Sequence, residues 1–237
     1  MKKILLLIVI LFLNLGKGEA FFPKFEDISK QWQEQYSKLK YLECEIKWEN
    51  PALSIRIWKS QERSLEEWVE LKNGILQVVG ACLRNGHKVI ASTFANAPSQ
   101  SIIDCFFYSP TIWKSLGVSW NKKRYVCWND QLALKIGEDV FCLYLANERF
   151  YPLGARLGTV SLGWGDFVYL GNYYLPTSGW ITNLSFSRKF QIKWGRINTR
   201  SQNIQFSREW FDARYSAVGS FLPISCKPLL NLLRSLP

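Results

Sequence analysis

Asp166–Trp194, DFVYLGNYYLPTSGWITNLSFSRKFQIKW, decides the fold. In its second half Leu184, Phe186, Phe190, Ile192 and Trp194 fall on one side of a period of two, and Ser185, Ser187, Lys189, Gln191 and Lys193 on the other. A strand with one buried and one wet face reads this way. Phe167–Tyr174 is rich in aromatic residues, and Pro176-Thr177-Ser178-Gly179 is a turn cluster. The stretch predicts two long aromatic strands joined by a turn, an antiparallel hairpin with one ring-lined face. That face covers either a packed core or a space for something from outside.

Upstream, the same period of two recurs. Leu42, Cys44, Ile46 and Trp48 alternate with Glu43, Glu45, Lys47 and Glu49, and Asn50-Pro51 ends that strand. A second strand is expected at Ser54–Lys59 and a third near Leu65–Leu71. Asn73-Gly74 and Asn85-Gly86 are each flanked by β-prone residues, and Asn-Gly suits a type I′ hairpin because both residues tolerate positive φ. An antiparallel meander follows from these signals. Ala95–Ser101 reads as a loop, and Ser109-Pro110 introduces Thr111–Leu116, a short helix with Thr111 or Ser109 near its start and Gly117 at its end. Strands resume at Arg124–Trp128, Leu132–Ile136 and Val140–Leu145, and a Gly-rich turn region precedes the aromatic hairpin. Arg196–Phe206 alternates once more, leading into Trp210-Phe211. Before all of these, Phe25, Ile28, Trp32, Tyr36 and Leu39 recur at intervals of three and four, the stripe of an amphipathic helix made to lie on a sheet. The fold class is mainly β with flanking helices.

The totals agree. A chain of 237 residues that is 48% hydrophobic suits one large domain with a real core. Eleven Trp and fifteen Phe fit β faces, apolar pockets and interfaces alike. Met1–Ala20 has Lys2 and Lys3, the apolar run Ile4–Leu15 and small residues at Gly18 and Ala20, the pattern of a cleaved secretory signal, with Phe21 opening the mature chain. No second long apolar run follows, so no transmembrane segment is expected after cleavage, and no Cys stands near the cut for a lipid anchor. The net charge of +11 favours acidic partners such as anionic headgroups, while export argues against nucleic acid. The six cysteines allow fifteen disulfide pairings, with buried free thiols the alternative for Cys44 and Cys142. Their spacings contain no Cys-x-x-Cys.

Catalytic signals are sparse. His87 is the lone histidine, which removes His-based triads and most zinc chemistry. There is no Gly-x-Ser-x-Gly elbow and no phosphate-binding glycine loop. Among Asp104, Asp130, Glu138, Asp139, Glu148 and Asp166, spacing favours no acid pair. No enzyme activity, cofactor or metal is expected.

The order of parts resembles the LolA/LolB-like superfamily of periplasmic lipid- and lipoprotein-binding proteins. The residues that carry the resemblance are the helix and glutamate-rich strand at the start, Leu143–Leu153 with its Asn147-Glu148-Arg149-Phe150 turn and Pro152, Tyr173–Trp180 with Pro176, and Phe206, Trp210 and Phe211, which look like the aromatic end of the family's last strand. The resemblance implies an incomplete antiparallel β-barrel, a half-barrel covered by an N-terminal helix and short helices, over residues 21–211, with 212–237 as a tail. It implies a periplasmic, non-catalytic carrier of lipid or lipoprotein acyl chains, held between sheet and helices by Ile46, Trp48, Phe167, Tyr169, Phe186, Phe190, Ile192 and Trp194. An envelope protein-interaction or sensor module on the same fold, with an envelope protein as partner, and a secreted hydrolase are the competing readings.

Overall fold

The computed structural model describes residues 22–49, 52–184, 186–200 and 204–236. The expected signal segment and the Asn50-Pro51 strand end lie outside the described residues. Helix α1 (Phe25–Tyr36) leads into a meander of five strands: β1 (Tyr41–Trp48), β2 (Leu53–Ser60), β3 (Arg63–Lys72), β4 (Ile75–Asn85) and β5 (Lys88–Ser92). Two short helices follow, α2 (Ile102–Phe106) and α3 (Pro110–Ser115). A meander of seven strands comes next: β6 (Lys123–Trp128), β7 (Gln131–Gly137), β8 (Phe141–Ala146), β9 (Pro152–Leu157), β10 (Val160–Leu170), β11 (Tyr173–Thr182) and β12 (Ser187–Ile197). The chain ends with α4 (Arg208–Arg214), a 3-10 turn and α5 (Lys227–Arg234).

All twelve strands form one antiparallel sheet, ordered β5-β4-β3-β2-β1-β12-β11-β10-β9-β8-β7-β6. Among the described residues only the β1–β12 ladder joins the two meanders, with Ile46 opposite Ile192 and Trp48 opposite Phe190. β5 and β6 remain as unpaired outer edges. This is the half-barrel with helices that the resemblance implied.

Alternation sorts the side chains into two layers. Leu42, Cys44, Ile46, Trp48, Ile55 and Ile57 join the main core with residues of α1, α2, α3 and α5. On the other face Tyr41, Trp58, Leu65 and Leu83 are covered by Phe211 and Tyr215 at α4. The strands β2 to β4 are therefore buried on both sides. Leu222, Leu229, Leu232 and Leu233 of the tail return to the main core.

Turn chemistry explains most boundaries and several differences from expectation. Asn73 and Gly74 both have positive φ, as a type I′ turn requires. Asn85 instead pairs with Lys88 as the end of β4, leaving Gly86-His87 as the turn with positive φ at Gly86 alone. That is the II′ pattern, with glycine at the first central position. The aromatic hairpin turns at Gly171-Asn172, with Gly171 at φ 61°, and not at Pro176–Gly179. Pro176 lies inside β11, where a missing N–H costs no ladder bond because β12 pairs with β11 only from Ser178 onward. Leu184 and Phe186 fall in the next turn, so the alternating core face of β12 begins at Phe190.

The expected Gly-rich turn is two strands, β9 and β10. Their glycines are floors for rings. A Cβ at Gly154 would stand 2.4 Å from the Trp128 ring, and one at Gly163 would stand 2.3 Å from that of Trp180. Trp210-Phe211 is helical rather than the end of a strand. Ser207 caps α4 by accepting the Trp210 N–H at 3.3 Å, and Tyr215 donates to Glu67 at 2.7 Å.

Replacing Gly154 by Ala forces the Trp128 ring off β9, where the Leu162 carbonyl also blocks the new methyl. Urea denaturation should show a loss of about 1–3 kcal/mol, with quenched or shifted Trp emission. An unchanged midpoint would refute the ring-on-glycine account.

Candidate functional site

The helix α1 lies across the core face with Phe25, Ile28, Trp32 and Tyr36 inward, as its stripe predicted. Its outer edge is tied to the β8–β9 turn. Gln31 Nε2 donates to the Glu148 carbonyl at 3.4 Å and Gln35 Nε2 to that of Arg149 at 3.1 Å. The Tyr36 hydroxyl donates to the Tyr174 carbonyl at 3.4 Å, and burial pushes its phenol well above the ordinary value, so it stays neutral. Opposite α1 stands the end of α2. Ser101 accepts the Ile103 N–H at 3.4 Å, and the Asp104 carboxylate accepts the Ser101 N–H at 3.0 Å, a capping box that fixes where α2 begins and where Phe106 and Phe107 project.

These rings form a connected wall. Trp32 and Tyr36 are 5.7 Å apart between centroids, Tyr36 and Phe107 5.5 Å, and Phe107 and Trp194 6.3 Å. Phe106 continues the wall inward to Trp164 at 5.7 Å and Phe167 at 6.2 Å. Where Trp32, Tyr36, Leu39 and Phe107 meet the end of the sheet at Leu42, an opening of about 170 Å³ remains. Lys40, Lys59 and Gln61 stand at its rim. A depression of about 1110 Å³ near the β2–β3 turn is wider, with Gln61, Glu62, Arg63, Asn85 and Arg200 sharing its lining with Ile204 and Phe206.

The structure divides the eight sequence-predicted lining residues. Ile46, Trp48, Phe190 and Ile192 come together across β1 and β12, each at most 4% exposed, with Trp48 and Phe190 at 5.0 Å. They are the sealed floor beneath the helices. Trp194 and Phe167 are half-buried members of the ring wall, and Trp194 Nε1 donates to the Pro176 carbonyl at 2.7 Å. Tyr169 and Phe186 face solvent, 62% and 41% exposed, at opposite ends of the sheet. The opening itself is built by Trp32, Tyr36, Leu39 and Phe107. The helical stripe signalled the first three; nothing in the local pattern around Phe106-Phe107 marked the fourth.

Under α2 the core holds charges. Glu66 and Arg84 pair at 2.9 Å with both side chains buried, and Arg84 Nε donates to the Pro98 carbonyl at 2.8 Å. Lys59 pairs with Asp104. Burial alone would raise the Asp104 carboxyl, but the Lys59 ammonium outweighs that and holds it below the usual carboxylate range. All six cysteines are free thiols. Burial pushes Cys82 up to about 11 and Cys105 up to about 12, which leaves them protonated and poor nucleophiles. Among the described residues no group of three or more His, Cys, Asp and Glu is placed to hold a metal ion. No helix among them is long and apolar enough to cross a membrane.

The sequence matches no family model, and no curated protein matches it. Among solved structures, the chain is similar to a LolA superfamily protein from Nitrosomonas europaea at 13% identity and a TM-score of 0.49, over 80% of this chain and 100% of that one. It is also similar to a structure described as an outer membrane lipoprotein-sorting protein domain from Vibrio parahaemolyticus, at 13% identity and a TM-score of 0.44, over 78% of this chain and 98% of that one.

The Asp104 ion pair makes stability pH-dependent in one direction. A carboxyl with a depressed folded value stabilises fully above its unfolded value of about 3.9, and the contribution fades as pH falls through the lower folded value. In urea titrations, wild type should exceed Asp104→Asn by a constant margin between pH 5 and 7, at roughly the unfolded carboxylate value and above. That margin should shrink below about pH 4. A margin that grows on acidification would contradict the assignment.

Proposed function

We propose that the protein is a non-catalytic carrier for the acyl chain of a lipid or lipoprotein, working in the periplasm after export. The observation that carries this reading is the opening between α1, Phe107 and the first residues of β1, walled by rings and continuous with the apolar core. Its chemistry suits hydrocarbon. At about 30 Å³ per water-sized group, the space admits roughly six methylenes, worth about 0.8 kcal/mol each when buried. A longer chain enters only as Phe107 and the C-terminal half of α1 move outward, since Ile46, Trp48, Phe190 and Ile192 leave no room beneath. The polar ties of α1 are weak enough to allow this: two glutamine bonds and one tyrosine bond, all to carbonyls and none stronger than 3.1 Å. Lys40 at the rim suits a carboxylate or phosphate on the chain's head.

Titration with a sixteen-carbon fatty acid, followed by Trp fluorescence, tests the reading. Wild type should saturate at one equivalent. Leu39→Glu, which places a charge in the mouth, should bind at least tenfold more weakly, about 1.4 kcal/mol or more. Absence of binding by wild type, or equal binding by the variant, would sink the carrier reading. Native mass spectrometry of periplasmic protein then identifies the cargo.

A further inference from the structure

Antiparallel strands put successive turns at alternating ends of the sheet, and the two ends of this sheet differ in chemistry. At the end where β1 finishes lie the β3–β4, β11–β12 and β7–β8 turns. Each projects large apolar side chains into solvent. Leu71, Ile75 and Leu76 are 55–64% exposed at the first, Leu184 and Phe186 86% and 41% at the second, and Phe141 40% at the third. A cation stands beside each group: Lys72, paired with Glu70 at 3.2 Å, next to Leu71, Arg188 over the Phe186 ring at 5.6 Å, and Lys122, paired with Glu138, just before β6 beside the third turn. The strap before α5 adds to this end. Phe221 and Ile224 are 85% and 80% exposed, and Cys226 lies within the fields of Glu70 and Lys72. Turns at the other end are Gln61-Glu62, Gly86-His87, Asn129-Asp130, Asn147–Phe150 and Gly171-Asn172. Leu132, Val168 and Tyr169 are the exposed large apolar residues near them.

Leucines and isoleucines this exposed on hairpin tips bury little apolar surface within the chain. Leu71 and Leu76 face each other across β3 and β4, and Lys72 faces Ile75, so the first tip is a greasy knob with an ammonium at its base. The three tips are separated along the sheet by the β1–β2 and β9–β10 turns. A groove or a small globular partner would need one continuous patch. Separate tips at one end of a sheet are met together by a flat, deformable surface. Apolar side chains with lysine and arginine at their bases match the boundary of a bilayer, where the chains enter the acyl region and the cations meet phosphates.

We propose that this end of the sheet docks on an anionic lipid bilayer, with the β3–β4, β11–β12 and β7–β8 tips entering the headgroup layer. The proposal goes beyond the carrier reading and does not depend on it. The opening beside Lys59 and Gln61 is at the other end of the sheet, so a docked molecule turns its mouth to the water and offers its cargo there to a soluble or protein acceptor.

Co-sedimentation of the mature chain with vesicles tests it, using phosphatidylglycerol with phosphatidylethanolamine against phosphatidylcholine alone. The protein should partition at least tenfold more strongly into the anionic vesicles, and less as salt rises. The triple variant Leu71→Ser, Ile75→Ser, Leu76→Ser should lose at least tenfold in partitioning, and Leu184→Ser with Phe186→Ser should lose a comparable amount. Both results are read against unchanged circular dichroism and a urea midpoint close to that of wild type, since the side chains are exposed. Leu132→Ser with Tyr169→Ser, at the other end, should partition like wild type. The proposal is overturned if wild type stays in the supernatant, if the tip variants bind like wild type, or if the other-end variant loses as much as they do. It is overturned too if size-exclusion chromatography shows the tip substitutions dissolving a dimer while vesicle binding is unchanged, because a second copy then covers the tips. Failure of fatty-acid titration with intact vesicle binding rejects the carrier alone.

Discussion

The pairing of β1 with β12 is the constraint on which the structure rests. It fuses a five-stranded and a seven-stranded meander into one sheet and leaves β5 and β6, which are consecutive in sequence, on the outermost edges. At about 4.8 Å per strand, a flat sheet would set those edges roughly 53 Å apart. The connection between β5 and β6 must bridge them, and it does so over the core face carrying α2 and α3. A curled sheet shortens that path and creates a concavity, and the crossing segment occupies it. The cover over the sheet is thus a consequence of the strand order.

What fills the concavity explains both its stability and its candidate use. The rings of α1, the end of α2, β10 and β12 meet edge to face at 5.5–6.3 Å, a geometry that gains from the ring quadrupole as well as from burial. Beneath them lies a sealed aliphatic and aromatic floor. Beside them, Glu66 and Arg84 are buried as a pair and Lys59 reaches Asp104 from the rim, which fixes the α2 region on β2–β4, because breaking the first pair would strand a buried charge. The α1 side has no such lock. Lysines hold its start, Lys114 over the Phe25 ring and Lys123 on the Pro23 carbonyl, but the links of its C-terminal half are neutral side-chain bonds to carbonyls, so displacement of that end costs less than displacement of α2. The opening sits on this weaker seam.

Much of the architecture was legible. Strict alternation in β1, the Asn73-Gly74 turn, the Ser109-Pro110 start of α3 and the three-four stripe of α1 are local signals that tertiary packing did not override. The failures share a physical cause, residues whose local meaning was reversed by a distant neighbour. Gly154 and Gly163 read as turn residues, yet they sit inside strands because Trp128 and Trp180 need their missing side chains. Pro176 read as a turn, yet β12 had already left that part of β11. Trp210 and Phe211 read as a strand end, yet Ser207 caps them into a helix that covers the second face. For the site, periodicity correctly separated the core face from the wet one at Ile46, Trp48, Phe190 and Ile192. It could not say that these residues would be sealed under helices while the opening formed at Phe107, which arrives from the crossing segment.

The central claim is that hydrocarbon enters between α1, the start of β1 and the end of β2 by moving rings already in place. A crystal structure grown with a long-chain fatty acid examines this most directly. The account predicts electron density for an alkyl chain between Trp32, Tyr36 and Phe107, with Phe107 rotated away from Trp194 and α2 unmoved. An unchanged ring wall with the chain bound elsewhere, or a chain that enters by displacing α2 and its ion pairs, would contradict it.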